Sequence, residues 1–176
     1  LLADTTLESD YILLQLWLHP PGDGGWNPPS WHRVRKAAQS ILRRQLPDGG
    51  FNIYPGGPAD VSASVKAYFA LKMIGDDIDA PHMARARAAI LAYGGAAKSN
   101  VFTRSLLALY GEIPWTGVPV MPVEIMLLPK WFPFHLDKIS YWGRTVLVPL
   151  LVLMTKKPRA KNPKNIHIAE LFTTPP

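Results

Sequence analysis

The sequence alternates between two kinds of helical segment, and this alternation restricts the fold more than any other feature. Three segments begin with a residue that favours a helix N-cap and then become strongly apolar; the capping residues are Asp4, Asp60 and Asn100. The second segment, which begins near Val61, is apolar or small on nearly every side. Helices of that composition pack among neighbours all round. The pattern therefore predicts three capped, buried helices.

Two amphipathic segments lie between the three apolar ones. In each, an apolar stripe recurs at spacings of i, i+3, i+7 and i+10, while cations occupy other faces. The stripes consist of Trp31, Val34, Ala38 and Ile41, and of Met83, Ala86, Ile90 and Tyr93. Helical hairpins stacked side by side produce such an order of buried and amphipathic helices, both in solenoids and in closed α/α barrels. We therefore expect an all-α fold, an arc of an α/α barrel (toroid) built from helical hairpins.

The proline content of the chain rises after residue 113. Of the 18 prolines, eight precede this point and ten follow it. Within one expected domain over residues 1–176, we assign helical repeats to 1–113, an apolar, proline-rich wall to 114–155 and a basic tail to 156–176. Because five helices make only an arc of a barrel, we expect the chain to belong to a longer protein.

The most apolar stretch of the wall runs from Thr145 to Met154. Its length is about half of the ~20 residues needed to cross a bilayer, and Pro149 interrupts it, so it is not expected to span a membrane. A buried helix is the simpler of two interpretations. The other is a partly lipid-facing, monotopic surface, which nearby tryptophans, phenylalanines and lysines support.

Composition removes several kinds of chemistry. The chain has no cysteine, which excludes disulfides, thiolate metal ligands and a cysteine nucleophile. Its five histidines are scattered without the helical spacing of metal ligands, so we expect no metal site. Much of the net charge of +6 comes from residues 156–164, a proline-broken run typical of a solvated loop. Because no nucleic-acid-binding signature accompanies the charge, we expect no nucleic-acid partner.

The most informative run covers residues 36–51 and joins the end of an amphipathic helix to a tight turn. Gln45 lies in the last helical turn, where its amide can reach unpaired carbonyls at the helix end or amides of the next helix. Residues 47–50, Pro-Asp-Gly-Gly, reverse the chain. We interpret the run as a structural tie between an outer helix and its neighbour.

This run resembles the glutamine-aromatic (QW) repeat of the triterpene cyclases at Lys36, Ala37, Gln45, Gly49, Gly50 and Phe51. The continuation GGFNIYPGGPADVSASVKAYFALKMIG is similar to the bacterial squalene-hopene cyclases, and the resemblance extends through SNVFTRSLLALYGEIPW and PVMPVEIMLLPK. Phe51 stands where the family usually has tryptophan, and Ser40 stands where an aromatic residue is common. We expect both departures to weaken this one tie.

The resemblance implies a bacterial enzyme of two α/α-barrel domains, bound peripherally to the cytoplasmic side of a membrane. Such an enzyme cyclises squalene to hopene through carbocations, without a metal or an organic cofactor. In the family, an Asp-x-Asp-Asp motif protonates the terminal alkene. This chain lacks that motif, since the run from Asp76 to Asp79 has a different order that is typical of a solvated turn.

The chain thus looks like the inserted second barrel domain of such an enzyme, without the domain that holds the acid. The resemblance implies that the chain contains no catalytic residue and is inactive alone. Its expected partners are a squalene-like isoprenoid, a membrane surface, and either the missing second barrel domain or another copy of itself.

The resemblance also implies a set of residues that line the substrate cavity. Trp142 is the first candidate and Phe102 the second. Ile139 occupies a position where the hopene cyclases often have phenylalanine, and Leu147 and Leu1 match apolar cavity or channel positions. Without the resemblance, a tryptophan or phenylalanine in a helical repeat would be assigned to core packing.

Other interpretations remain open from the sequence. Glu8 and Asp10 belong either to a buried polar network or to a solvated helical turn. The whole chain could be a non-enzymatic α-helical scaffold or a self-associating hydrophobic binding module. A protein prenyltransferase subunit, another α/α toroid, is nearly excluded because its zinc site requires a cysteine.

Overall fold

The computed structural model describes residues 4–119 and 121–173, which contain six α-helices. Their bounds are α1 Thr5–Leu18, α2 Trp31–Arg43, α3 Val61–Ile74, α4 Pro81–Ala92, α5 Val101–Leu109 and α6 Tyr141–Lys156. Short 3-10 turns connect some of the helices. Within the described residues the only extended pairing is an isolated bridge between Gly22 and Gly25, and no strand forms. The predicted all-α class is confirmed.

The three predicted capping residues all cap helices. Asp4 accepts hydrogen bonds from the backbone N–H groups of Thr6 and Leu7 at the start of α1. The Asp60 carboxylate accepts from the N–H of Ala63 at 2.9 Å, and the Asn100 side chain accepts from that of Thr103 at 2.9 Å. Each cap satisfies backbone donors that the first helical turn leaves unpaired.

The core forms around α3, which is buried on nearly all sides as its composition predicted. Its largest buried side chains are Tyr68 and Phe69, and both are fully inaccessible. Helix α1 packs against α2 and α3, while α3 also contacts α4 and α5. Inner helices α1, α3 and α5 therefore alternate with outer helices α2 and α4. This is the hairpin arrangement expected of an α/α-barrel arc.

The apolar stripes of the two outer helices face this core, with one exception. The buried stripe residues are Val34, Ala38, Ile41, Met83, Ala86 and Ile90. Tyr93 is 44% exposed, so its assignment to the stripe was wrong. Tyr93 is the C-cap residue of α4, so its side chain no longer follows the helical periodicity of the stripe. Its hydroxyl donates to the Asp48 carboxylate at 2.9 Å.

Helix α1 is less buried than its composition predicted. Ile12, Leu13 and Leu16 lie in the core, but a second apolar face remains open. The exposed apolar residues are Leu7, Leu14, Trp17 and Leu18. The prediction failed because an apolar sequence shows that a face requires cover, whereas the neighbours in the fold decide whether that face receives it.

Helix α6 begins at Tyr141, four residues before the stretch predicted from hydrophobicity, and Pro149 lies inside it. Only three of its side chains are buried, namely those of Leu150, Leu151 and Met154. A helix buried throughout is therefore not formed. Within the described ranges, no helix is long and apolar enough to cross a membrane.

The chain after α6 returns to the core. The basic run over residues 156–164 is largely exposed, as expected of a solvated loop. Beyond it, Ile168 and Leu171 are fully buried. The backbone N–H of Ala160 donates to the carbonyl of Leu109 at 2.7 Å, which joins the returning segment to the end of α5. We call residues 165–173 the C-terminal segment.

Candidate functional site

The turn after α2 ties two outer helices together through Gln45. Its amide nitrogen donates to the carbonyl of Gly49 at 2.9 Å and to that of His82, in the first turn of α4, at 2.7 Å. Its amide oxygen accepts from the Arg85 guanidinium at 2.9 Å. Gln45 therefore bonds carbonyls of the turn and of the next outer helix. The sequence also allowed backbone amides of the next helix as partners of Gln45. In the structure, the Arg85 side chain takes that place as the donor to the Gln45 oxygen.

The glycines of this turn are required by close packing. Gly49 has a φ of 92°, and a Cβ there would lie 2.4 Å from the carbonyl oxygen of Arg85. A Cβ on Gly50 would lie 2.6 Å from that of Ala59. Phe51 follows as a fully buried core residue whose N–H donates to Ser64 Oγ at 2.9 Å. The close packing of these residues supports a structural role for the turn.

An apolar concavity lies elsewhere, between α1, α3, α5 and α6. It has a volume of about 520 Å³ and is hereafter called the apolar groove. Its lining residues are Asp10, Leu13, Leu14, Trp17, Lys66, Phe102, Ser105, Leu106, Leu109, Tyr110, Leu150 and Leu153. A concave site with mostly apolar walls and few polar groups suits a small apolar ligand.

The polar groups at the groove are partly used by the fold itself. The Tyr110 hydroxyl donates to the carbonyl of Leu13, and burial raises the pKa of Tyr110 above its usual value. The Ser105 hydroxyl donates to the carbonyl of Val101 at 2.8 Å. Neither hydroxyl is therefore poised to donate a proton to a ligand.

Both acidic residues of α1 form ion pairs with other helices. Glu8 pairs with Arg44 at the end of α2, and Asp10 pairs with Lys66 of α3 at 2.8 Å. Glu8, whose side chain is 18% exposed, fits the alternative of a buried polar network, whereas the Asp10 side chain is paired but 43% exposed. The Asp10–Lys66 pair lies on the lining of the apolar groove.

Two further carboxylates hold the C-terminal segment. The Glu112 side chain is 3% exposed; it accepts from the N–H of Ile168 at 2.9 Å and contacts His167 Nδ1 at 3.0 Å. Glu170 accepts from the Tyr68 hydroxyl at 2.8 Å and from the Lys72 ammonium. Buried or partly buried carboxylates that are bonded in this way serve the fold.

These contacts also determine the ionisation of the groups around Glu170. Burial acts to raise the pKa of Glu170, but hydrogen bonds from Lys72, the backbone and Tyr68 outweigh it, so the net pKa lies below the usual value. The pKa of Tyr68 is raised, first by burial and then by its bond to Glu170.

Within the described ranges, no three histidine, aspartate or glutamate side chains gather as metal ligands would.

The residues expected to line a cavity do not all meet in the structure. Phe102 lines the apolar groove and is 48% exposed. Trp142 is 79% exposed at the start of α6, about 12 Å along the helix from Leu150 at a rise of ~1.5 Å per residue. Ile139 and Leu147 are half-buried and do not line the groove. Leu1 lies outside the described residues.

Sequence reasoning missed most of the groove. The missed residues with the most exposed apolar surface are Leu14, Trp17 and Leu153. The sequence of α1 did contain a signal for the groove, because this helix has more apolar faces than the neighbouring helices bury. That excess was interpreted as evidence of burial, whereas here it forms one wall of the groove.

A second exposed apolar region precedes and begins α6. Its exposed large side chains are those of Leu127, Trp131, Phe134, Tyr141 and Trp142, which we call the aromatic surface. The rings of Trp131 and Phe132 lie 5.9 Å apart between centroids, and those of Phe132 and Phe134 lie 6.1 Å apart. Lys130 and Lys138 lie among these residues in the sequence.

Comparison with known proteins gives one consistent result. Residues 1–176 match the family model described as the squalene-hopene cyclase N-terminal domain. The chain is 56% identical over 170 residues to a probable squalene-hopene cyclase of Sinorhizobium fredii, with 97% of this chain and 25% of the relative covered. It is 54% identical over 174 residues to a squalene-hopene cyclase of Bradyrhizobium diazoefficiens, with 99% and 25% covered.

A more distant relative shows the same coverage. The chain is 37% identical over 174 residues to the squalene-hopene cyclase of Alicyclobacillus acidocaldarius, with 99% of this chain and 26% of the relative covered. The chain thus spans about a quarter of the length of these relatives. These matches agree with the helical hairpins and the glutamine-tied turn of the structure. The chain belongs to the squalene-hopene cyclase family and matches the N-terminal domain of that family.

Proposed function

We propose that this chain is part of an enzyme that cyclises squalene to hopene, and that it forms one wall of the substrate cavity. The family and its relatives support the reaction class. The apolar groove carries the proposal, because its volume of about 520 Å³ and its walls of leucine, tryptophan and phenylalanine suit an isoprenoid hydrocarbon.

In this proposal the chain shapes the substrate but does not supply the acid. Protonating an alkene requires an unusually strong, positioned carboxylic acid. Glu8, Asp10, Glu112 and Glu170 instead hold ion pairs or hydrogen bonds with bases and backbone amides. In this proposal the proton donor lies outside this chain, because the Asp-x-Asp-Asp motif of the family is absent from its sequence, and the resemblance implies a reaction without a metal or an organic cofactor.

The residues of the groove have two tasks in such a reaction. Leucines exclude water, which would otherwise capture a carbocation before the rings are complete. The face of the Phe102 ring can stabilise positive charge as it develops. We propose that Trp142, Ile139, Leu147 and Leu1 line the same cavity only once the remainder of the enzyme lies against them.

We further propose that Trp131 and Phe134 of the aromatic surface contact a membrane as part of a peripheral, monotopic protein, whereas Trp142 belongs to the cavity. Tryptophan and phenylalanine side chains favour the boundary between headgroups and acyl chains, and nearby lysines attract anionic lipids. Trp131 and Phe134 are both largely exposed, which supports this assignment. Membrane contact would allow an insoluble hydrocarbon to reach the groove without crossing water.

Binding of squalene to the chain tests the role of the groove. Squalene in mixed micelles should change the fluorescence of Trp17, and Leu14→Asn should weaken saturable binding by about tenfold, because a polar amide replaces an apolar contact. Leu91→Asn is the matched control, since Leu91 is an exposed leucine on α4 outside the groove. Equal losses for both variants, or no saturable binding, would contradict the proposal.

Product analysis tests the assignment of the acid. The chain alone should leave squalene unchanged, whereas adding the remaining part of the enzyme should yield hopene. Hopene from the chain alone would refute the claim that the acid lies elsewhere. If the chain instead forms dimers that block squalene binding, the self-associating module becomes the better description.

A further inference from the structure

Helix α2 has an exposed cationic face that the fold does not neutralise. Its residues Trp31–Arg43 include four arginines and lysines but no aspartate or glutamate. All four side chains are exposed, and we call them the cationic face: Arg33, Arg35, Lys36 and Arg43. Among the described residues, none of the four forms a side-chain hydrogen bond or an ion pair. The face therefore has no acidic partner in contact with it there.

The arginines of the other outer helix, α4, are used by the fold. Arg85 donates to the amide oxygen of Gln45 at 2.9 Å, and Arg87 pairs with Asp79 at 4.0 Å. Helix α4 also contains no acidic residue, so its arginines find their partners in neighbouring elements. Helix α2 differs, because within the described part of the chain no neighbouring element brings such partners to its cationic face.

Stabilisation of α2 itself does not account for these charges. Arg33 lies in the first helical turn, where the helix dipole makes a cation unfavourable. Arg33 and Lys36 are three positions apart, a spacing at which two like charges on a helix repel each other. Arg43 lies in the last turn, where the dipole favours a cation. The charges nearer the start of α2 therefore weaken the helix, which indicates a role outside it.

A small pocket continues the cationic face at the end of α2, and we call it the α2-end pocket. It has a volume of about 300 Å³. Ile53 and Tyr54 contribute open apolar surface to its lining, since they are 45% and 61% exposed. Asp4 is the one acid on the lining within the described residues, and its carboxylate already caps α1. Because Arg43 belongs to both the lining and the cationic face, the two features form one continuous surface.

This surface fits an acidic protein segment better than it fits a lipid bilayer. Arginine guanidinium groups pair with carboxylates through two parallel hydrogen bonds. A pocket receives a protruding side chain, which a plane of lipid headgroups does not offer. Helix α2 has 13 residues and is about 20 Å long at a rise of ~1.5 Å per residue. About six residues of an extended segment would span this length at ~3.3 Å per residue.

We propose that the cationic face and the α2-end pocket dock an acidic segment of a partner protein. The carboxylates of the segment pair with Arg33, Arg35 and Lys36, and one apolar side chain beside them enters the pocket. Charge complementarity steers the segment to the face, and the buried apolar side chain fixes its position. Neither the apolar groove nor the aromatic surface takes part, so this docking surface is independent of the proposed function.

Three fluorescein-labelled peptides test the docking surface on the full chain. The first has six glutamates with a leucine at each end, so that either chain direction can place a leucine in the pocket. In the second, glycines replace the leucines, and in the third, glutamines replace the glutamates. Fluorescence anisotropy at low salt should show that the first peptide binds about tenfold more tightly than either of the others. Several surface ion pairs together are worth about that factor, and so is one buried leucine.

Two triple variants of equal net charge then locate the cations that bind the peptide. Arg33→Gln, Arg35→Gln and Lys36→Gln together should weaken binding of the first peptide by about tenfold. All altered positions are exposed, and circular dichroism checks that both variants fold. The matched control removes three exposed cations of the basic run and should weaken binding by less than about threefold: Lys156→Gln, Lys161→Gln and Lys164→Gln.

Two isoleucine variants test the α2-end pocket. Ile53→Ser should bring the affinities of the leucine and glycine peptides within about threefold of each other, because the leucine loses its apolar contact. Ile78→Ser alters an exposed isoleucine in the turn before α4 and should leave the difference at about tenfold. A leucine preference that survives Ile53→Ser overturns the role of the pocket.

Three other results would overturn the docking surface as a whole. Equal losses in the two triple variants would show that net charge alone attracts the peptide. Absence of binding by the first peptide would show that the surface takes no acidic segment. Binding of phosphatidylglycerol vesicles through the cationic face, with no preference for the glutamate peptide over the glutamine peptide, would assign the face to a membrane instead.

Discussion

At the scale of single residues, Gln45 shows how much structure one side chain can organise. Its amide and oxygen together make three hydrogen bonds, to the turn after α2 and to α4. The sequence motif predicted this position as a tie, and in the structure the side chain bonds both the turn after α2 and helix α4. Neighbouring Gly49 has a positive φ and no room for a side chain, so the turn tolerates little change.

Replacing Gln45 with alanine should therefore destabilise the chain. We expect the free energy of unfolding to fall by about 2 kcal/mol, because the carbonyls of Gly49 and His82 lose their shared donor in a partly buried position. Denaturant unfolding measures this loss. Gln39→Ala on the exposed face of α2 is the control and should cost less than about 0.5 kcal/mol. Equal losses at both positions would contradict the tie.

At the scale of elements, the C-terminal segment changes the interpretation of the end of the chain. The sequence showed a proline-broken basic run, and it predicted a solvated region correctly for residues 156–164. It did not show that Ile168 and Leu171 would be buried beyond that run. Glu112 and Glu170 hold the segment through hydrogen bonds to residues far away in the sequence.

This attachment should weaken in acid. The folded pKa of Glu170 lies below its ordinary value of 4.5, so its contribution to stability is complete above that value and is lost as pH falls through the folded pKa. Glu170→Gln should cost about 2 kcal/mol at neutral pH, and this cost should shrink as pH falls from about 6 to about 3. Urea unfolding at each pH measures the difference.

A matched control isolates the effect of Glu170 from general acid destabilisation. Glu124 is an exposed glutamate in a short 3-10 turn, and Glu124→Gln should cost less than about 0.5 kcal/mol. A Glu170→Gln cost that stays constant down to about pH 3 would show that the carboxylate charge does not hold the C-terminal segment.

At the scale of the whole molecule, two exposed apolar regions remain after the core has formed. The apolar groove uses the uncovered face of α1, while the aromatic surface lies before and at the start of α6. Exposed apolar patches of this kind mark surfaces for ligands, membranes or partners. Under the proposed function the first is a cavity wall and the second a membrane contact.

Flotation with lipid vesicles tests membrane contact. The chain should float with phosphatidylcholine vesicles containing phosphatidylglycerol, and Trp131→Gln with Phe134→Gln should reduce partitioning by about tenfold, because two largely exposed aromatic rings are lost. Tyr54→Gln, at an exposed aromatic residue in another loop, should leave flotation unchanged. Binding that disappears entirely in high salt would indicate that charge, not the aromatic surface, holds the protein.

Local sequence patterns were sufficient to predict where the helices, their caps and the turn at Gln45 lie. The capping contacts join residues two or three positions apart, so the responsible side chains can be identified from the sequence. The alternation of inner and outer helices also followed from composition, because a helix that is apolar all round must be an inner one.

The groove and the attachment of the chain end depended on tertiary structure. Asp10 meets Lys66 across 56 sequence positions, and Tyr68 meets Glu170 across 102. Hydrophobic periodicity shows which faces need cover, but not which element covers them or which face of α1 stays open. The sequence could therefore establish the helices and the family, whereas the packing of distant segments placed Phe102 in the groove and left Trp142 outside it.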